Sequence, residues 1–268
     1  MDINHIIVQL DEQPGRNESR IYAAMQLAKQ TGASVTGCLI EQSIDFDGTN
    51  IVRLSNSNHI ACDHFYQLHD AEFSQIPVSF EQHQGKAADI LGQRIEQFDL
   101  LVMDHHCMEQ GPLGHFYTLA SSIAANSGKL VLMVPDNYQG KGCSIGSLPL
   151  IAWSQHGRIH DIFEHTQSIL QRAHQIKVVL NSIGSANEDV MDAEPMPKNT
   201  LPFDVHTEIE KWHTGLQDYP ERLLALAVNH DLIIMNANGH TNLKEVLVGE
   251  TTREMLRTSP LPVLLTAV

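Results

Sequence analysis

The sequence FDLLVMD at residues 98–104 is closely matched by HDLIIMN at residues 230–236. In each copy an aspartate precedes an apolar run, a pattern typical of a parallel strand that is buried on both faces. Similar segments surround both copies in the same order. The chain is therefore predicted to contain one α/β unit twice.

The segments that surround the two copies also correspond to each other. In each pair the first-half segment comes first: strands 5–11 and 149–155, helices 19–29 and about 160–174, strands 34–40 and 177–181, strands 77–81 and 203–208, helices 86–97 and 218–229, and strands 129–135 and 261–266. Strands that alternate with helices predict a parallel sheet with helices on both faces. We expect five strands in each half, with a linker at residues 136–147 that contains three glycines.

Composition argues against several functional classes. The formal net charge is −15 and we find no basic stripe, so nucleic acid is not an expected partner. No segment has the roughly 18–20 apolar residues of a membrane span, and the first residues lack the pattern of a secretion signal. We therefore expect a cytoplasmic protein with no membrane partner.

Cysteine and histidine are spread along the sequence. The four cysteines form no C-x-x-C pair and the sixteen histidines are scattered, so neither a zinc knuckle nor a redox dithiol is indicated. The consecutive residues at 104–107 (DHHC) include three types of metal ligand, but neighbours on a loop seldom converge on one ion without partners elsewhere. We expect no metal ligands.

The second half contains a more specific pattern, MNANGHTNLKEVLVGETT at residues 235–252. It resembles the nucleotide loop of the universal stress protein family, G-x2-G-x9-G-[ST], with its second and third glycines at Gly239 and Gly249. The order of elements over most of the chain is similar to that of the family's tandem bacterial members. The resemblance implies two adenine-nucleotide-hydrolase-like (flavodoxin-like) α/β domains, residues 1–137 and 148–268, and a stress-response or regulatory role.

The resemblance also implies where a nucleotide would bind. Family members hold adenosine near the end of the first strand, where an aspartate contacts the nucleoside, and hold the phosphates at the glycine loop. Carried onto this sequence, the cofactor-binding candidates are Ala152, Trp153, Ser154, Met235, Asn236, Gly239, His240, Gly249, Glu250, Thr251 and Thr252. The expected ligand is ATP or AMP, with no metal required.

Three departures weaken the family pattern in the second half. Asn236 replaces the first glycine, Ser154 replaces the strand-end aspartate, and Glu250 occupies the hydroxyl position after the third glycine. A carboxylate at position 250 would repel a terminal phosphate, although an acid in the first turn of a helix also stabilises that helix by about 0.3–1 kcal/mol. An intact triphosphate site, a weaker mono- or diphosphate site and a structural relic all remain open.

The first half departs further from the family. It keeps Asp11 at the end of its first strand, but the loop at residues 104–115 has no G-x2-G. We expect no nucleotide site there. The protein is expected not to be an enzyme and to have no catalytic residue. The alternatives are a slow ATP hydrolase that uses the same loop, or a ligand-free interaction scaffold.

The last strands of the two halves, Leu130–Val134 and Pro262–Ala267, are apolar sheet edges. Exposed edges of this kind tend to pair with other strands. We expect the two edges to meet across a pseudo-twofold axis as an intramolecular dimer. A homodimer of whole chains is also possible on this pattern.

Overall fold

The computed structural model describes residues 1–41, 44–46, 49–51, 57–105, 108–110, 116–138, 140, 144–154, 159–181, 205–212, 218–237 and 250–267. The strands are β1 His5–Leu10, β2 Ser34–Glu41, β3 Ile44–Phe46, β4 Thr49–Ile51, β5 Val78–Gln84, β6 Leu100–Asp104, β7 Met108–Gln110, β8 Phe116–Thr118, β9 Leu130–Val134, β10 Pro149–Ser154, β11 Gln175–Asn181, β12 His206–Trp212, β13 Leu232–Asn236 and β14 Val263–Thr266. The α-helices are α1 Pro14–Thr31, α2 Ser57–Glu72, α3 Ala87–Arg94, α4 Leu119–Ser127, α5 Ile159–His165, α6 Gln167–Leu170, α7 Tyr219–Ala227 and α8 Glu250–Thr258. A 3₁₀ turn, Ile95–Gln97, follows α3.

Ten of the described strands form one sheet, in the order β12-β11-β10-β13-β14-β9-β6-β1-β2-β5. Within each half, neighbouring strands of this sheet pair in parallel. Counted by their sequence order within the half, the five strands lie as third, second, first, fourth, fifth in both halves. The predicted α/β fold with its parallel sheet and helices is confirmed.

The two halves of the sheet join at β9 and β14, the strands whose apolar edges were expected to meet. These strands pair antiparallel, with Leu264 opposite Leu132 at the centre of the register. Both leucines are fully buried. Pairing between whole chains and the exact domain boundaries, 1–137 and 148–268, stay predictions.

The helices cover both faces of the sheet. One buried cluster joins the sheet to α1, α2, α5 and α6, and a second joins the opposite face to α3, α4, α7 and α8. Among the described residues, no helix is both long and apolar enough to cross a membrane.

The aspartate that opens each matching motif has the same structural task in both halves. Asp99 Oδ2 accepts hydrogen bonds from the backbone N–H groups of Asn4 and His5, at 2.9 and 3.1 Å. Asp231 accepts from the backbone N–H groups of Ser147 and Leu148, at 2.7 and 3.1 Å. Each carboxylate therefore holds the chain at the start of the first strand of its half, which explains why the repeat keeps an aspartate there.

Replacing either aspartate with alanine should leave two backbone donors without this acceptor. We expect Asp99→Ala and Asp231→Ala each to lower the free energy of unfolding by about 1–2 kcal/mol, the usual net contribution of two hydrogen bonds that are partly open to solvent. Urea denaturation followed by circular dichroism measures this loss. A loss at one site with none at the other would contradict the equivalence of the two positions.

Three local predictions differ from the structure. The helix predicted at about 160–174 is divided into α5 and α6 at Thr166, whose hydroxyl donates back to the carbonyl of Ile162 at 2.6 Å. Such a bond competes with the regular helical pattern. The third strands lie later than predicted, at Val78–Gln84 and His206–Trp212, and the short hairpins β3–β4 and β7–β8 were not predicted.

Candidate functional site at the ends of β10 and β13

The candidate site lies where the strand order of the second half reverses direction. From β10 the chain first adds β11 and β12 on one side, and then β13 and β14 on the other. In open parallel sheets, ligands bind outside the carboxyl ends of the strands at such a reversal, because the connecting loops diverge there and leave a crevice. In the second half the reversal falls between β10 and β13.

The sequence-predicted residues of these two strands come together at this point. Ala152 lies beside Met235 in the parallel register, and both are buried. Trp153 and Ser154 follow on β10, while Asn236 follows on β13. The structure thus brings the two predicted strand segments to the same carboxyl edge.

Backbone contacts on the far side of β13 fix its end. Asn236 pairs with Thr266 of β14, and the backbone N–H of Ala237 donates to the carbonyl of Thr266 at 2.6 Å. The Thr266 hydroxyl donates to the carbonyl of Met235 at 3.4 Å. The strand end that the family pattern assigns to the ligand is therefore tied to its neighbour and well positioned.

Helix α8 presents its N-terminus toward the same edge. Its Met255 and Leu256 are buried against the sheet, and only residues 259–262 connect it to the start of β14. Because that connection is short, the C-terminus of α8 lies near the amino end of β14 and its N-terminus near the carboxyl edge. The free N–H groups and the dipole of a helix N-terminus favour an anion.

The predicted residues of the glycine loop are only partly within the described chain. Glu250, Thr251 and Thr252 form the first turn of α8, and Thr252 is buried. Gly239, His240 and Gly249 lie outside the described residues. The predicted helix start after the loop is therefore present, while the loop itself stays a prediction.

The equivalent strand end in the first half has different chemistry. Asp11 follows β1, and its Oδ2 accepts a hydrogen bond from Arg20 Nη2 of α1 at 2.6 Å. The Arg20 side chain is 1% exposed, and its Nη2 also donates to Asn17 Oδ1 at 2.9 Å and to the Arg16 carbonyl at 3.1 Å. The carboxylate that the family uses for a nucleoside is here the counter-ion of a buried arginine.

Sequence reasoning did not find this pair. Asn17 adds to it, because its side chain accepts from the backbone N–H of Asp11 and donates to the Asp11 carbonyl, both at 2.8 Å. The signal was available: Arg20 lies one turn after Asn17 and directly before the apolar residues on the buried side of α1. A buried arginine on such a face requires a nearby anion.

The polar stretch at 104–107 contains metal-ligand residue types but is not expected to bind an ion. Asp104 and His105 are buried at the end of β6, and both have interaction partners. His106 and Cys107 lie outside the described residues. The expectation of no metal at this stretch therefore stays a prediction.

Comparisons with known proteins relate the second half of the chain to a known family. Residues 203–267, which include β12, β13, α8 and β14, match the model of the universal stress protein family. No curated protein matches the chain at a significant level.

Solved structures match almost the whole chain at low identity. A universal stress protein from Archaeoglobus fulgidus DSM 4304 is 15% identical, with 99% of this chain and 97% of that chain covered and a TM-score of 0.60. A protein described as a universal stress protein from Pseudomonas aeruginosa UCBPP-PA14 is 16% identical, with 99% and 93% covered and a TM-score of 0.64. A protein of unknown function from Pseudomonas aeruginosa PAO1 is 16% identical, with 99% and 92% covered and a TM-score of 0.63.

At these identities the structural matches establish the fold, and the family match establishes the relationship of the segment that carries the candidate site. The chain therefore has the fold of the universal stress proteins, and its residues 203–267 match the model of that family.

Proposed function

We propose that this protein is a cytoplasmic stress-response regulator that binds one adenine nucleotide, AMP or ATP, in its second half and does not turn it over. The observation that carries the proposal is the coincidence of three features at one edge. These are the strand reversal between β10 and β13, the N-terminus of α8, and the segment that matches the family. Each alone is common, but together they form the usual geometry of a nucleotide phosphate site.

The proposal assigns the nucleotide to the second half only. In the first half, Arg20 already occupies the Asp11 carboxylate at 2.6 Å. A nucleoside hydroxyl that bound Asp11 would have to compete with a charge-assisted hydrogen bond from a buried group, which is among the stronger contacts in proteins. The equivalent residue of the second half is Ser154, whose neutral hydroxyl would not bring a charged partner of this kind into competition with the nucleoside.

The number of phosphates follows from Glu250. This residue begins α8, where the family has a hydroxyl residue that faces the phosphates. A carboxylate at this point adds repulsion as the phosphate chain lengthens toward the helix. We therefore expect AMP to bind more tightly than ATP, and Glu250→Ser to raise the affinity for ATP while changing that for AMP little.

A matched pair of substitutions tests the location of the site. Asn236 and Asp104 end the equivalent strands β13 and β6. Asn236→Asp adds a negative charge beside the proposed phosphates and should weaken AMP binding about tenfold or more, as expected for like charges a few ångströms apart near a protein surface. Asp104→Asn makes the reverse change in the first half and should leave AMP affinity unchanged.

The rise of the melting temperature with added nucleotide measures the effects of Asn236→Asp and Asp104→Asn on binding, because a ligand that binds only the folded state stabilises it. The expected result is a rise with millimolar AMP for the wild type and for Asp104→Asn, and a reduced rise for Asn236→Asp. If AMP no longer raised the melting temperature of Asp104→Asn but still raised that of Asn236→Asp, the site would lie in the first half. Phosphate release from ATP with Mg²⁺ would favour the hydrolase alternative, and no response to either nucleotide would favour the ligand-free scaffold.

A further inference from the structure

We propose that the first half contains a binding site for a zinc-type transition-metal ion, formed by Cys38 of β2 and by Glu81 and His83 of β5. The Cys38 sulfur, a Glu81 carboxylate oxygen and a His83 ring nitrogen all lie within 4.8 Å of one another. Thiolate, imidazole and carboxylate are the ligands that zinc uses in proteins. This site is at the opposite end of the first-half sheet from the join at β9 and β14, and it is separate from the proposed nucleotide site.

The strand register explains how the three side chains meet. Cys38 lies directly opposite Glu81 in the parallel pair β2–β5, and His83 is two residues further along β5. Since alternate residues of a strand point to the same face, Glu81 and His83 share the face on which Cys38 is buried. This is the face that α3 covers, with its Leu91 in the same buried cluster as Cys38.

The distances are close to those of a coordinated ion. His83 Nε2 lies 3.2 Å from Glu81 Oε1. Two ligands at about 2.05 Å from a tetrahedral zinc ion are about 3.3 Å apart, and a sulfur ligand at about 2.3 Å would be about 3.6 Å from each of them. The nitrogen and oxygen are therefore already at ligand spacing, and the sulfur, which lies within 4.8 Å of both, would have to approach each of them by no more than about 1.2 Å.

A second observation points to an absent ligand. His83 Nε2 lies 3.2 Å from Glu81 Oε1 but outside good hydrogen-bond geometry, and among the described residues this buried nitrogen has no other hydrogen-bond partner, although the imidazole as a whole is 33% exposed. Buried polar atoms normally have a partner. A metal ion between the sulfur, the oxygen and this nitrogen would provide one.

The equivalent positions of the second half carry different residues. Val179 lies opposite Glu210 in the β11–β12 pair, and Trp212 occupies the position of His83. Glu210 is there bound by Lys177 Nζ at 2.9 Å and by Trp212 Nε1 at 2.7 Å. The glutamate is common to both halves, whereas the thiol and the imidazole occur only in the first.

Arg94 of α3 orients the carboxylate. Its Nε donates to Glu81 Oε1 at 2.9 Å and its Nη2 donates to Oε2 at 2.6 Å. Hydrogen bonds to a ligating carboxylate are ordinary in metal sites. With the ion bound through Oε1, Arg94 would keep its contact to Oε2, and a water molecule would complete four ligands.

Binding must remove the thiol proton. Burial and the neighbouring Glu81 carboxylate raise the pKa of the Cys38 thiol to about 12, so the free protein holds a neutral thiol. A divalent ion displaces that proton to solvent and forms the metal–sulfur bond, with no change in oxidation state. The bound ion, one thiolate and one carboxylate then carry no net charge, and the Arg94 guanidinium on Glu81 adds one positive charge beside them.

Cobalt(II) is a suitable probe because only a thiolate ligand gives an intense sulfur-to-cobalt charge-transfer band in the near ultraviolet. We expect the reduced, chelator-treated full chain to develop this band with one equivalent of Co²⁺ and to lose it when Zn²⁺ is added. Cys38→Ser should abolish the band. His83→Gln should weaken Co²⁺ binding by about tenfold or more, since loss of even an outer-shell partner of a metal site costs about 10–100-fold in affinity.

Two cysteine variants serve as matched controls. Cys62→Ser removes a thiol of α2 that is outside the cluster, and Cys107→Ser removes the one that follows two histidines in the sequence. Both should keep the band. The proposal is overturned if the wild type gives no band, if the band survives in Cys38→Ser, or if Cys107→Ser abolishes it. Should Cys38→Ser fail to fold by circular dichroism, unchanged Co²⁺ affinity in His83→Gln would overturn it equally.

Discussion

Asp11→Ala should lower the free energy of unfolding by about 3 kcal/mol, because it leaves the buried Arg20 guanidinium without its counter-ion. Arg20 is 1% exposed and lies 2.6 Å from the Asp11 carboxylate. Its Nε and Nη1 are also buried and make no hydrogen bond among the described residues. Within the described part of the chain, only the neutral acceptors of Asn17 and Arg16 would remain for Arg20, but the Asp11 side chain is itself 32% exposed, so the loss should lie at the lower end of the range for a broken buried ion pair.

Two further variants distinguish a buried pair from a surface one. Arg20→Met removes the charge and fills the same volume, so Asp11→Ala/Arg20→Met should be more stable than Asp11→Ala alone. Asp136→Ala removes the partner of Arg16, a pair at 3.9 Å with both side chains exposed, and should cost less than about 1 kcal/mol. Urea denaturation measures all four proteins, and a near-wild-type stability for Asp11→Ala would show that water reaches Arg20.

Leu132→Ala and Leu264→Ala should each lower the free energy of unfolding by about 3 kcal/mol, as buried leucines do when truncated. The two leucines belong to different halves and lie opposite each other where β9 meets β14. Because the two side chains lie opposite each other, the effects of the two substitutions on the free energy of unfolding should not be additive. We expect a coupling free energy of about 0.5–1 kcal/mol between them.

A distant pair provides the control for this coupling. Leu132→Ala combined with Ile176→Ala of β11 changes two buried residues of the same face that lie four strands apart. Their effects should add within about 0.5 kcal/mol. Additive effects for Leu132 and Leu264, measured in the same denaturation series, would argue that the two halves do not join at this strand pair in solution.

The fold could be predicted from the sequence because its signals are local and occur twice. The matching motifs at 98–104 and 230–236 predicted one strand in each half, and the flanking apolar runs predicted the other strands. The repeated Asp99 and Asp231 now have a physical explanation as acceptors at the strand starts. The division of the helix at Thr166 was not predictable from periodicity, since the residues on either side keep the helical pattern.

The residues of the proposed metal site were less predictable because they depend on register between strands that are distant in sequence. The pairing of Glu81 with His83 was readable in principle, because residues two apart on a strand share a face. Their meeting with Cys38 depends on the alignment of β2 with β5, which no local pattern specifies. The Asp11–Arg20 pair was not predicted for a related reason. The family pattern suggests a nucleoside as the partner of the strand-end aspartate, whereas its partner in the structure is an arginine of the helix that follows.

Isothermal titration calorimetry of the full chain with AMP tests the central functional claim most directly, because it counts the nucleotides that bind. A site at the end of β10 and β13, with Asp11 held by Arg20 in the other half, predicts one AMP per chain. Two equivalents would contradict the assignment of the first half, and no binding at millimolar AMP would contradict the proposed site itself.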